Sequence, residues 1–327
     1  MKYYFQKFFD FLTTLLLVTL VTFLTFQLLP GNPALAILGP EADSAQLEAM
    51  ELQLGLDRSL PERYLTWLKN ACCGDFGISY KYNQSVNSLI ANALKTTAAL
   101  SALSLVFTIL LGCALGIAFA LNRKKKCWQV FATLNQIWVS MPSFCTALIL
   151  ILIFSVGLKL LPSVGFAGFS SLILPSLAIA LGSSSILARY IKNSIQNELK
   201  KDYVRTARSK GLNEKQVILR HVLRNTLIPS ITTLGLLTAN IFGGSIIIEN
   251  VFSLPGIGRL ITTSISSRDF PLLQGLSIYL AAMTLFCNFL VDVLYSVVDP
   301  RIRIKPEKSA DATRRTADVQ RLADNFE

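Results

Sequence analysis

Six long intervals of this 327-residue chain contain no Asp, Glu, Lys or Arg, and they constrain its fold more than any other feature. They cover residues 11–29, 96–121, 127–158, 160–188, 225–248 and 270–291. Each reaches the roughly 20 apolar residues that carry a helix across a hydrocarbon layer about 30 Å thick. Their apolar character is continuous and does not alternate with period two, which points to helices and away from barrel strands. A single run of this kind could be a buried core helix. Six of them, in a chain with 16% charged residues against the roughly 25% of soluble domains, indicate an all-α, polytopic membrane protein.

The few charges set the expected orientation, because Lys and Arg accumulate in cytoplasmic loops. The N-terminal flank, loop 122–126, loop 189–224 and the segment from 299 onward hold 23 basic residues, against eight in the intervening segments. Both termini are therefore expected in the cytoplasm, with six crossings between them. The net charge of +11 has the same origin. Loops 122–126 and 189–224 carry fourteen basic and three acidic residues, which accounts for the whole excess. Lys2 and Lys7 ahead of an apolar run resemble a signal peptide, and Ala34-Leu35-Ala36 offers a small-x-small cleavage site. The run is longer than the usual h-region, however, and Pro30 and Pro33 separate it from that site, so a retained first span is expected.

The spans hold little chemistry. Proton- and ion-coupled transporters rely on carboxylates or histidines inside the membrane. Asp10, Glu249 and Asp292 lie only at span ends, and the single histidine, His221, falls in a cytoplasmic loop. Gly112-Cys113-Ala114-Leu115-Gly116 is a GxxxG pattern suited to close helix approach, and Pro142, Pro175 and Pro229 are candidate kinks. Cys72, Cys73, Cys113, Cys127, Cys145 and Cys287 match neither a disulfide framework nor a zinc spacing, and the adjacent Cys72-Cys73 pair is poorly placed to bond to itself. No P-loop, HExxH or GxSxG occurs, and Gly256-Ile257-Gly258 lacks the third glycine of a dinucleotide fingerprint. The expectation is a path for a solute, with no catalytic residue, cofactor or metal.

Loop 189–224 is the most informative stretch. Gly211 suits the left-handed position after a helix that ends in Arg208 and Lys210. Asn213 can cap the next helix with Gln216 closing a capping box, and Leu212 can staple onto Val217. The spacing predicts helix, glycine turn, helix on the cytoplasmic face. Such a platform could rest on anionic lipid, bind nucleic acid as a helix-turn-helix without a recognition-helix pattern, or dock a cytoplasmic partner.

Arg205-Thr206-Ala207-Arg208-Ser209-Lys210-Gly211 resembles the EAAxxxG loop of ATP-binding-cassette (ABC) importer permeases, with Arg205 standing where the general signature has Glu. The stretch from Asp202 to Gly211, followed by Arg220-His221-Val222-Leu223-Arg224-Asn225 and Ile228-Pro229, resembles the dipeptide, oligopeptide and nickel branch. The Ile228-Pro229 pair lies about five residues further from the glycine than in the generic pattern. Leu29-Pro30-Gly31-Asn32-Pro33, Gly74-Asp75-Phe76-Gly77-Ile78-Ser79, Glu249-Asn250-Val251-Phe252-Ser253-Leu254-Pro255-Gly256-Ile257-Gly258 and Asp299-Pro300-Arg301 agree with it. The resemblance runs from Met1 to about Arg303.

It implies a MetI-like permease fold in a bacterial cytoplasmic (inner) membrane. It also implies a second permease subunit, two cytoplasmic ATP-binding subunits and an extracytoplasmic substrate-binding protein, without nucleic acid. The implied ATPase-docking residues are Tyr203, Arg205, Thr206, Ala207, Lys210 and Gly211. Residues 1–95 would form the first span and a long outer loop, 96–303 the permease core with its coupling loop near 189–225, and 304–327 a flexible cytoplasmic tail. Loop 30–95 and segment 249–257 would meet the delivering protein or line its outlet. Peptides are the implied cargo, with nickel or another small solute as alternatives. A membrane-anchored scaffold or a secondary transporter without ATPase partners remains the contrasting reading.

Overall fold

The structure is a computed structural model that describes residues 2–28, 33–39, 42–53 and 55–298. The Leu29–Pro33 stretch in part, and the Asp299-Pro300-Arg301 motif and segment 304–327 entirely, lie outside the described residues. Helix α1 is Lys2–Leu28. Three short helices follow: α2, Pro33–Leu38; α3, Ser44–Gln53; and α4, Leu60–Cys72. Helix α5, Val86–Leu121, starts ten residues before the expected span, capped by the Ser85 side chain on the Ser88 amide. Then come α6, Lys126–Ser140, and α7, Ser143–Leu150, which widens into a π-helical stretch, Ile151–Gly157. Helix α8 is Ser170–Glu198, α9 is Asp202–Ser209, and α10 is Glu214–Gln216. The last runs through π turns, Val217–Val222, into α11, Leu223–Val251. Helices α12, Ile257–Ser266, and α13, Phe270–Val298, complete the described chain. No named strand occurs among the described residues; a lone bridge joins Ile78 to Ser85.

The α1, α5, α8, α11 and α13 helices are long and apolar enough to cross a membrane, and α6 with the α7 helix makes a sixth apolar unit bent by 109°. The candidate kink at Pro142 is therefore an outright break in the third span. Met141 and Pro142 take extended ψ values of 130° and 141°, because a proline disfavours helix in the residue before it and supplies no amide of its own. The two halves nevertheless track one neighbour. Gln136 accepts from Arg189 at 3.1 Å and Asn135 from Ser185 at 3.0 Å, while Leu150 shares an apolar cluster with Leu172 and Leu174. That progression from Arg189 to Leu172 covers about 25 Å of α8 at 1.5 Å per residue, so the pair acts as one broken span. Pro175, by contrast, sits inside α8 without interrupting it.

The most extensive pairing is α5 against α8, and the GxxxG pattern is its seam. A Cβ on Gly112 would lie 2.7 Å from Leu187, and one on Gly116 would lie 2.8 Å from Ile191 and 3.0 Å from the Ala188 carbonyl. Small residues here let the backbones approach, which supplies packing where lipid and side chain are equally apolar. Outside the core, α4 lies on α1 through Tyr64 and Trp67 against Phe23, and the Tyr64 hydroxyl meets Thr19 Oγ1 at 3.0 Å. The six cysteines are free, with Cys72, Cys73 and Cys127 exposed.

Candidate functional site

The basic loop folds into a knob carried on the end of α8. Asp202 in the first turn of α9 and Arg208 in the last complement the helix dipole. Gly211 follows at φ +80°, a region open to glycine and strained for side chains with a Cβ. Its amide bonds the Arg208 carbonyl at 2.9 Å. Asn213 and Gln216 then form a reciprocal capping box: the Gln216 amide donates to Asn213 Oδ1 at 2.9 Å, and the Asn213 amide to Gln216 Oε1 at 3.1 Å. Leu212 packs into the cluster that holds buried Val217, the staple pair expected from their spacing. Arg208 bridges the turn to Glu214 at 2.9 Å.

The α9 helix is tied back to α8 as well. Glu198 accepts from the Tyr203 hydroxyl at 2.7 Å and pairs with Lys201. Burial pushes the Tyr203 phenol pKa up, and the bond to Glu198 raises that of Lys201. Val204 and Ala207 are buried in one apolar cluster with Ile191, Ile195 and Leu199 of the α8 arm, Ala120 of the α5 helix and Leu237 of the α11 helix. The knob thus shares its core with the spanning helices. Of the implied docking residues, Arg205, Thr206, Lys210 and Gly211 are exposed, Tyr203 is half-buried and the Ala207 methyl points inward. Ala207 shapes the knob from beneath.

At the opposite end two carboxylates form clasps, and neither role was read from the sequence. Glu249 is fully buried. Its Oε1 accepts from Thr97 at 2.7 Å and its Oε2 from the Gly258 amide at 2.7 Å, while Thr97 Oγ1 accepts from the Ile257 amide at 2.9 Å. This joins α5, α11 and the start of α12. The glycines of the 256–258 turn are the legible signal: a Cβ on Gly256 would lie 2.3 Å from the Glu249 carboxyl, and one on Gly258 2.4 Å from Ile246 Cα. Asp269, also fully buried, caps α13 through the Leu272 amide at 3.3 Å. It also accepts from Ser79 Oγ and from the Tyr80 and Lys81 amides, each at 3.2 Å. The Gly74–Ser79 motif is thereby fixed to α13. Tyr80 is pushed up to about 12 by burial and then by Asp269, with Arg63 opposing.

Two clefts could serve a solute path. One of about 830 Å³, at the clasp end, lies between α5 and α12, with Lys95, Thr96, Phe166, Pro255 and Arg259 in its walls. A smaller one of about 180 Å³ opens at the Met141 break and is lined by Trp138, Thr146, Gly182, Asn240 and Gly244. Among the described residues, no group of three His, Cys, Asp or Glu side chains is placed to hold a metal ion.

The family described as binding-protein-dependent transport system inner membrane component matches residues 109–304, and that of the N-terminal part of such membrane components matches residues 1–101. The glutathione transport system permease protein GsiC of Salmonella typhi is 38% identical over 305 residues, 93% of this chain and all of the relative. The protein of the same description from Escherichia coli (strain K12) is 37% identical over the same shares. Among solved structures, an inward-facing MetNI methionine ABC transporter chain aligns with TM-score 0.56 at 16% identity, over 64% of this chain and 96% of that one. A chain of an amino acid ABC transporter aligns with TM-score 0.51 at 19% identity, over 64% and 94%. These structural likenesses speak for the fold.

Proposed function

The chain belongs to the binding-protein-dependent transport system inner membrane components, the permeases of ABC importers, and from that premise we propose how it works. It pairs with a second permease subunit, and the two enclose a path for small peptides delivered by an extracytoplasmic binding protein. The permease relatives described as transporting glutathione, a peptide-like solute, support that cargo class. Two cytoplasmic ATPases seat on the knob 203–211, and the basic loops lie on their side of the membrane. Residues 96–303 form the moving core, with 1–95 as a peripheral span and outer loop and 304–327 as a cytoplasmic tail.

The observation that carries this reading is the single apolar cluster uniting Val204 and Ala207 of the knob with the α5, α8 and α11 helices. A close-packed interior transmits displacement and does not absorb it. When ATP binding draws the ATPases together, α9 moves with the arm of α8 and the root of α11, and the spans rock as bodies. The outer clasps keep α12 and the Gly74–Ser79 motif registered to those bodies, so the outer cleft opens or closes with them. Segment 249–257 and loop 30–95 form the outlet that the binding protein meets.

The test is reconstitution of the permease pair with its ATPases, scored for peptide uptake and for ATP hydrolysis stimulated by the loaded binding protein. Gly211→Val places a β-branched residue at φ +80°, a strain of at least about 1–2 kcal/mol. It is expected to abolish both readouts while the chain still inserts. Normal uptake by that variant would overturn the docking assignment. Uptake that survives ATP depletion would favour secondary transport, and absence of co-purifying ATPases would favour a scaffold.

A further inference from the structure

We propose that the permease holds an anionic phospholipid of the cytoplasmic leaflet in a basic pocket where loop 122–126, the end of α8 and the knob converge. The pocket, of about 640 Å³, takes Arg123 and Lys124 from the end of α5, Lys200 from the end of α8 and Arg208 from α9. Gln129, Gln196 and Asn197 add amide groups, and no carboxylate lines it. Arg208 is already shared with Glu214 at 2.9 Å, so the uncompensated charge rests on Arg123, Lys124 and Lys200. Three cations from two separate elements, ringed by amide donors, form a site for a phosphate group. The Gln129 side chain, donating to the Arg123 carbonyl at 2.9 Å, fixes one wall.

The surroundings favour a lipid headgroup over a soluble phosphate. Gln129 lies in the first turn of α6, and the same helix exposes Val130, Phe131 and Leu134 on an adjoining face, at 57%, 60% and 50%. That apolar face runs along α6 within the uncharged interval 127–158, beside the pocket, and is where acyl chains would lie. Basic pockets beside spanning helices on the cytoplasmic side are suited to anionic headgroups. Occupancy has a mechanical consequence, because Lys200 precedes α9 and Arg208 lies in its last turn. The lipid would brace the knob against α5, and a membrane poor in anionic lipid would leave the coupling element less firmly held.

The proposal rests on the orientation given above, which is checked separately by whether a membrane-impermeant maleimide reaches exposed Cys127 only from inside. The experiment itself uses the assembled, delipidated transporter. Binding of phosphatidylglycerol and phosphatidylcholine is measured by native mass spectrometry for the parent and for Lys124→Gln/Lys200→Gln. At about 5-fold per cation, the double variant is expected to bind phosphatidylglycerol roughly 25-fold more weakly, with phosphatidylcholine unchanged. Phe131→Ser/Leu134→Ser is expected to weaken the lipid too, while excess inorganic phosphate fails to displace it. Unchanged phosphatidylglycerol affinity in the first variant would overturn the proposal, as would equal parental affinity for the two lipids. Displacement by inorganic phosphate would make the pocket a soluble-anion site. Loss of ATPase subunits from the first variant would assign the pocket to that interface, and either result would refute the lipid.

Discussion

Replacing Gly258 with alanine tests whether the Glu249 clasp is as tight as its geometry implies. A Cβ there would stand 2.4 Å from Ile246 Cα and 2.7 Å from the Ile246 carbonyl oxygen. Both are backbone atoms, so no rotamer change relieves the clash, and the start of α12 must withdraw by about 1 Å to reach ordinary contact. The bond from the Gly258 amide to Glu249, now 2.7 Å, would stretch to about 3.7 Å and cease to be one. Leaving a buried partner unsatisfied costs about 1–3 kcal/mol, overpacking adds about 1–3 kcal/mol, and better helix propensity returns at most about 1 kcal/mol. The net expectation is roughly 1–5 kcal/mol of destabilisation. Thermal unfolding of the purified complex measures it, with Gly182→Ala as the control, since a Cβ there meets only the Trp138 carbonyl at 3.4 Å. A melting temperature for Gly258→Ala equal to that of the parent and the control would refute the reasoning.

Three further outcomes follow from the same contacts. Ala207→Glu would bury a carboxylate among Val204, Val217 and Ile218 and is expected to unfold the knob, read as faster proteolysis between Lys200 and Lys215, whereas Thr206→Glu, on the exposed side of α9, leaves it folded; equal proteolysis of both would contradict the inward placement of Ala207. Asp269→Ala removes a helix cap and orphans the Tyr80 and Lys81 amides, for an expected loss of about 3 kcal/mol, read as faster proteolysis between Gly74 and Ser85. Tyr80, at about 12 in the fold and about 10 when unfolded, contributes stability that is whole below pH 10 and falls as pH rises through 12, by about 2–3 kcal/mol; Tyr80→Phe is expected to flatten that part of the pH–stability curve.

The sequence carried the spans and the knob because both depend on local rules. Charge exclusion over twenty residues reports a helix in lipid whatever its neighbours, and Gly211, Asn213 and Gln216 form their turn from contacts within a few residues. What depended on distant partners was hidden. Pro142 marks a candidate kink, but hydropathy cannot tell a mild kink from a bend of 109°. Pro175 looks equivalent in sequence and breaks nothing. The Ala207 methyl faces inward only because Val217 and Ile218 fold back beneath it. Glu249 stood at a span end, where an exposed carboxylate is ordinary, until Thr97, 152 positions away, closed on it. Asp269 did carry a local signal, an acidic residue directly before Phe270-Pro271 at a helix start. Its reach to Ser79, 190 positions away, did not.

On the proposed mechanism, ATP-driven force enters the membrane core through the knob. The most direct measurement is disulfide trapping in the assembled transporter, with cysteine at exposed Arg205 and at exposed Lys81 at the other end of the molecule, in a background whose six native cysteines are replaced by serine or alanine. Paired single cysteines are placed over the surface of the ATPase subunit. The account predicts a covalent permease–ATPase product from position 205 that blocks ATP hydrolysis until it is reduced, and none from position 81. An Arg205→Cys transporter that forms no such product while pumping peptide at the full ATP-dependent rate would contradict it.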